Sequence, residues 1–370
     1  MTRAPRVLVS GVVLGQPPGG VRRHNAELLP RAALLLAEGG GALDVLEGRT
    51  PLEFPLPPLV RRLPSAVPAG PPTARARAEG AALRDALAAA AAAGLPYDLV
   101  HTAHLPAPAR LGAPFTLTLH DLRALHLPSA PFVRRLLAGP VIGGAVRAAA
   151  RAIAVSETVR AELLARFGLA PERVAVVPNA GDHLAVLPRA PAPDAPLLSL
   201  GHLERRKNLE LLLRALALDA GLPDLVLAGA PKGGEDRRLS ALAQELGVAA
   251  RVRFPGPVRE EELPHLYATA ACAVLPSRLE GFGIGVLEAQ RARVPLAIAD
   301  AGALPEVAGA AVPRFDPDDP AACARAIRAA LARSPAELAA DARAAERYRW
   351  DDSARRLVQV WTEAAGLAGA

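Results

Sequence analysis

In the stretch Leu275-Pro-Ser-Arg-Leu-Glu280-Gly-Phe-Gly-Ile-Gly-Val-Leu-Glu288-Ala-Gln290, which runs on to Ala303-Leu-Pro-Glu-Val307, two glutamates bracket three glycines. The apolar run from Ala270 to Leu275 reads as a buried strand, Pro276 to Gly281 as a loop, and Gly283 to Arg291 as the opening turns of a helix. A strand, tight turn and helix start aim backbone N–H groups and the positive end of a helix dipole at one point, and glycines let an anion approach that backbone. A phosphate fits such a turn. Glu280 on the loop and Glu288 inside the helix then flank the anion, and carboxylates beside a diphosphate are suited to accept hydrogen bonds from sugar hydroxyls.

Glu280 and Glu288, seven residues apart around Gly-Phe-Gly, resemble the E-x7-E signature of the family 4 retaining glycosyltransferases. The resemblance implies the GT-B fold, two Rossmann-like doubly wound α/β domains facing across a cleft. It implies that Glu280 contacts the donor sugar and Glu288 the nucleotide ribose. It also implies that the backbone of Gly281, Phe282, Gly283, Ile284, Gly285, Val286 and Leu287 holds sugar and phosphate. Two glutamates at this spacing are common by chance; the glycines between them carry the resemblance.

A chain of 370 residues exceeds what one core usually covers, which points to two domains. Hydrophobic residues make up 51% and aromatics 3%, the composition of an Ala- and Leu-rich folded protein rather than a disordered one. Cys272 and Cys323 lack metal-ligand spacing and sit among alanines, so they read as buried thiols in a reducing, cytoplasmic compartment. The net charge of +6 is spread along the chain with no nucleic-acid motif, which argues against nucleic acid as partner. Contact with an anionic membrane face is the milder option, with Arg61-Arg62 and Arg75 to Arg77 as its candidates, against the plainer reading of a solvated surface. The residues before Arg6 do not read as a signal peptide, and no apolar run reaches the roughly 20 residues of a membrane span.

The chain opens on an apolar strand at Arg6 to Val13, a Pro- and Gly-rich loop from Gly15 to Gly20, and a periodic helix from Val21 to Ala37. The Gly19-Gly20 pair is not a G-x-G-x-x-G fingerprint; it resembles the family's first loop, near the donor phosphate and acceptor. Residues 51–80, rich in proline and arginine, read as an irregular surface segment. Two further strands end in polar clusters, Tyr97 to His101 and Phe115-Thr-Leu-Thr-Leu-His120-Asp121. In a parallel sheet the carboxyl ends of strands carry the site. His120-Asp121 resembles the family's strand-end pair near the donor sugar, whereas His101, His104 and His126 read at least as readily as structural. Ser156 starts a helix, and Pro178-Asn179-Ala-Gly181 departs from the family's Pro-Asn-Gly order. Pro188 to Pro196 reads as a linker, so the first domain is expected at 1–187 with a terminal helix from 348–370 packed back on it, and the second at 188–347.

The second domain begins with the strand Leu197 to Gly201 and the basic block His202-Leu-Glu-Arg-Arg206-Lys207-Asn208. Cations between a strand and a helix start suit a diphosphate, and Lys207 stands out because lysine occurs only at 207 and 232. His202 stands where many family members carry an arginine. Either its imidazolium binds phosphate as the pH falls toward about 6, or Arg206 carries the charge and His202 fills the turn. The expected reaction, as the resemblance implies, is metal-independent, retaining transfer of a hexosyl group from a nucleotide diphosphate sugar to an acceptor hydroxyl on a sugar or lipid-linked sugar. Lys207 and Arg206 would stabilise the departing diphosphate, with no cofactor besides the substrate. GDP-mannose is the first donor, because the basic block looks most like mannosyl-type members, and a UDP-sugar the second. A sugar-nucleotide epimerase on the same fold and a non-catalytic partner subunit are the alternatives, though the latter should have lost the site residues. Asp316-Pro-Asp318-Asp319, ahead of a predicted helix, reads as a turn and cap rather than a metal site.

Overall fold

A computed structural model describes residues 3–15, 19–107, 111–126 and 132–367. The chain divides into two compact units, one of residues 1–179 with 350–370 and one of residues 180–349.

The strands of the first unit are β1 (Arg6–Ser10), β2 (Ala42–Leu46), β3 (Arg61–Leu63), β4 (Leu99–Thr102), β5 (Phe115–Leu119), β6 (Arg151–Ala154) and β7 (Val174–Val176). They form one parallel sheet in the order β3-β2-β1-β4-β5-β6-β7. Apolar runs such as Val7-Leu8-Val9 are buried on both faces, which is why they carry no alternation in sequence. From β1 the chain winds outward to β3, then returns to β4 and winds the other way. The β1/β4 boundary is therefore the topological switch point, where ligands bind in doubly wound sheets.

The helix Gly20–Glu38 packs against the helix Trp350–Ala364 in this unit. The latter buries Trp350, Ser353, Ala354, Leu357, Val360 and Trp361, a stripe at three- and four-residue spacing. Both tryptophans are fully buried anchors, and Arg31 Nε to Asp351 Oδ1, 2.9 Å, closes the edge of the helix pair.

The segment 51–80 is more ordered than its composition predicts. It holds β3, whose Arg61 pairs with Asp44 of β2, and the start of the helix Pro72–Ala92. Proline 72 stands in the first turn, where its missing N–H costs nothing. Arg75 is buried and donates to the carbonyls of Ala69 and Leu105, so it does not present its charge to a surface; Arg61 and Arg62 are paired to Asp44 and Glu47.

The second unit has β8 (Leu197–Leu200), β9 (Leu225–Ala228), β10 (Val252–Gly256), β11 (Cys272–Leu275), β12 (Leu296–Ala299) and β13 (Arg314–Phe315). Their order, again all parallel, is β10-β9-β8-β11-β12-β13. Pro255 is tolerated because β10 is an edge strand, and the register shifts between Arg253 and Gly256. The switch point here lies between β8 and β11. Cys272 and Cys323 are buried free thiols; burial raises the Cys272 thiol far above its ordinary value and pushes that of Cys323 up to about 12. Asp319 caps the helix Pro320–Leu331 by accepting from Ala321 and Ala322 N–H, as its place in the sequence implies. Beyond Gly302 the chain closes into the short helix Leu304–Ala308. Among the described residues, no helix is long and apolar enough to cross a membrane.

Candidate active site

At the second unit's switch point, the loop after β8 carries Arg206 and Lys207 in a 3-10 turn, and the loop after β11 carries Glu280. The two loops are tied by Arg278 N–H donating to Arg206 O at 3.0 Å. Glu280 Oε1 accepts from Lys207 Nζ at 2.5 Å and Ser277 Oγ at 2.9 Å, while Oε2 accepts from Arg206 Nη1 at 3.0 Å. Burial is the largest single influence on this carboxyl and pushes it up. The charges of Lys207 and Arg206, with hydrogen bonds from Lys207 and Ser277, together outweigh it and hold the group at about 2 rather than 4.5. Arg206 also pairs with Glu204 at 2.7 Å. The two cations therefore belong to a closed ionic network rather than an open basic pocket, and an entering diphosphate must share or replace a carboxylate.

The Glu280 backbone is fixed from below. Its carbonyl accepts from Ala303 N–H at 2.9 Å, and a Cβ added to Gly302, which sits at φ 56, would lie 2.5 Å from that same oxygen. Gly283, at φ 93, is the N-cap of the helix Ile284–Arg291, and a Cβ there would meet Leu304 Cδ2 at 2.6 Å. Glycine is thus required at Gly283 by conformation and crowding together. Phe282 is buried with its ring edge-on to Tyr348, 5.4 Å between centroids. Ile284, Gly285, Val286 and Leu287 form the first helical turn; Val286 N–H donates to Gly283 O at 2.9 Å, and the N–H groups of Ile284 and Gly285 ahead of it have no intrahelical acceptor. One turn on, Glu288 Oε2 accepts from Tyr267 OH at 2.8 Å, and Oε1 lies 3.0 Å from His183 Nε2. Burial first, then the Glu288 charge and hydrogen bond, raise the Tyr267 hydroxyl well above its ordinary value, so it stays a donor. Sequence spacing does not single out Tyr267, His183, Ser277 or Gly302: Tyr267 and His183 reach the Glu288 carboxylate through packing, Ser277 reaches that of Glu280 from three residues away, and Gly302 meets the Glu280 backbone.

His202 is half-buried. Burial, then Lys232, with Lys207 and Arg206 behind it, lower its imidazole below 6.5 against the opposing pull of Glu204. At pH 7 the His202 imidazole is therefore neutral.

In the first unit, His120 follows β5 and its Nε2 is buried without a hydrogen-bond partner among the described residues. Burial, then His24, His101 and Arg123, hold it well below its ordinary value. Asp121 Oδ1 turns the other way, accepting from Arg123 N–H at 3.1 Å. Gly19 caps the helix Gly20–Glu38 in extended conformation, and a Cβ on Gly20 would meet nothing; residues 16–18 of the predicted loop lie outside the described residues. His101 is structural, bonded to Thr116 Oγ1 at 2.9 Å and set against Trp361, with ring centroids 5.1 Å apart and planes tilted by 59°. His104 Nε2 lies 2.9 Å from Glu79, whose other oxygen accepts from Ser10. Among the described residues no cluster of His, Cys, Asp and Glu could hold a metal ion.

Residues 189–349 match the model of glycosyl transferases group 1, and residues 18–183 that of Glycosyltransferase Family 4. Over 95% of its length the chain is 32% identical to a D-inositol 3-phosphate glycosyltransferase 1 of Catenulispora acidiphila, covering 93% of that protein. The chain belongs to glycosyltransferase family 4. This glycosyltransferase is also 31% identical to the O-antigen chain mannosyltransferase B of Escherichia coli, over 56% of its own length and 59% of that protein's. Its fold is that of the sucrose-phosphate synthase of Thermosynechococcus elongatus, with a TM-score of 0.78, 21% identity, and 97% and 98% of the two chains covered. The two parallel-sheet Rossmann-like units are those of a GT-B glycosyltransferase.

Proposed function

We propose that this glycosyltransferase moves a hexosyl group, mannose first, from a nucleotide diphosphate sugar to an acceptor hydroxyl with retention of anomeric configuration. The observation that carries the reading is Glu280, a buried carboxylate kept ionised at the switch point by Lys207, Arg206 and Ser277. An ionised carboxylate there orients sugar hydroxyls, while the first turn of the helix Ile284–Arg291 and the two cations take the charge that builds on the departing diphosphate. Glu288, set by Tyr267, accepts from the ribose hydroxyls. His120 and Asp121 of the first unit serve the transferred sugar and its acceptor. The names of the two relatives suggest a mannosyl group and D-inositol 3-phosphate among the first compounds to try; GDP-mannose as donor and a sugar, free or lipid-linked, as acceptor are the other first choices.

The test is a thermal-shift screen with GDP-mannose and UDP-sugars, followed by nucleotide release with and without each acceptor. A donor at 100 times its Kd should add about 2.7 kcal/mol to stability. Acceptor-dependent release with an α-configured product from an α-configured donor is the expected result. Isomerised sugar without acceptor would point to an epimerase instead, and an inverted product would overturn the retaining reading.

A further inference from the structure

His24 is used neither by the sequence motifs nor by the chemistry proposed above, yet it is built into the first unit as a functional side chain would be. It lies one turn into the helix Gly20–Glu38 and is almost fully buried. Its Nδ1 bonds Asn179 Oδ1 at 2.8 Å, and Asn179 is itself buried. Because a carboxamide oxygen accepts, Nδ1 carries the proton. The ring stands perpendicular to that of His120, with centroids 4.8 Å apart and an interplanar angle of 89°. Behind it lies Trp350, 6.4 Å away. Perpendicular aromatic rings at this spacing fix an orientation and not merely a contact. His120 Nε2 has no hydrogen-bond partner among the described residues, so no bond at that atom sets the ring plane.

We propose that His24 is a positioning residue for His120: anchored to Asn179 and edge-to-face with the His120 ring, it fixes the plane in which that imidazole stands at the end of β5. The inference rests on the reading in which His120 faces the transferred sugar. Burial holds His24 at about 4, against the opposing effect of the Asn179 hydrogen bond, and holds His120 low as well. At neutral pH the ring contact therefore carries no charge repulsion. Misplacing a reacting group by roughly 1 Å costs about 10²-fold in rate, so the loss should fall on kcat more than on donor KM.

The test compares His24→Ala, His24→Phe, Asn179→Ala, His120→Ala and the His24→Ala/His120→Ala double variant, assayed with the GDP- or UDP-sugar that passes the thermal-shift screen. His24→Ala is expected to lower kcat about 10- to 100-fold with donor KM unchanged. His24→Phe, which keeps a ring and needs no anchor, should regain most of it. Asn179→Ala should show a smaller loss of the same kind, and decides the matter if His24→Ala does not fold. The double variant should be no slower than His120→Ala. The imidazole 15N resonances of His120 should move in His24→Ala and not in His24→Phe. Normal kcat in both His24→Ala and Asn179→Ala, or losses that multiply in the double variant, would overturn the proposal. Normal kcat in His120→Ala would instead remove the reading beneath it.

Discussion

Glu280 is a side chain that burial should neutralise and that its neighbours keep charged, and the difference can be measured. Its folded value of about 2 lies below the ordinary 4.5, so the stability it contributes is present above about 4.5 and is lost as pH falls through about 2. The gap in denaturation free energy between wild type and Glu280→Gln should therefore shrink between pH 5 and pH 3. In catalysis the same substitution should lower kcat about 10²-fold if, as proposed, the diphosphate draws on the Lys207 and Arg206 that pair with Glu280. Glu288→Ala should mainly raise donor KM, since ribose contacts are similar in ground and transition states. Steady-state kinetics of the pair check this, and near wild-type values for both would remove the assignment. His202 makes a third case: with its imidazole shifted below 6.5, donor Kd should be flat from pH 6.5 to 8, and a tightening within that range would restore the cationic role.

The strand-turn-helix of β11 and Ile284–Arg291 was legible in sequence because its signals are local: an apolar run, then glycines, then a helical period. What lies under it was not. Gly302 looks like any loop glycine, yet it is the floor on which the Glu280 carbonyl rests. Gly302→Ala and Gly168→Ala share a positive-φ penalty of roughly 1–2 kcal/mol, but only at Gly302 does the new Cβ collide with backbone, while at Gly168 it meets nothing. Gly302→Ala should thus lose clearly more stability in a thermal melt than Gly168→Ala, and should also lower kcat; equal effects would show that the contact is relaxed at no cost. The elements missed, β3 and the beginning of Pro72–Ala92, have weak periodicity of their own. They are held by pairing of β3 to β2 and by the contacts of buried Glu79 with Ser10 and His104, partners that sequence spacing does not reveal.

At the scale of the whole molecule, three imidazoles of one unit, His24, His101 and His120, are all held neutral by burial, at about 4, about 3 and well below 6.5. An unfolded chain takes up protons at these groups below about 6.5 and the folded one does not. Stability must therefore fall as pH drops from about 6.5, by up to roughly 1.4 kcal/mol per pH unit for each group. Urea midpoints at pH 7, 6 and 5 should decline, and less steeply in His101→Gln; a flat profile would mean that the imidazoles admit protons while folded. The sequence by itself determined the class of fold and the family, because buried parallel strands are continuous apolar runs and the glycine turn between the two glutamates is contiguous. It also showed Arg206 and Lys207 between a strand and a helix start. Only the tertiary structure decided that these cations are already paired with Glu280, that Tyr267 and His183 hold Glu288, and that His24 stands against His120. Those relations join residues 21 to 105 positions apart in the chain, and the ionic state of a side chain depends on which neighbours and how little water surround it, quantities that exist only once the chain has folded.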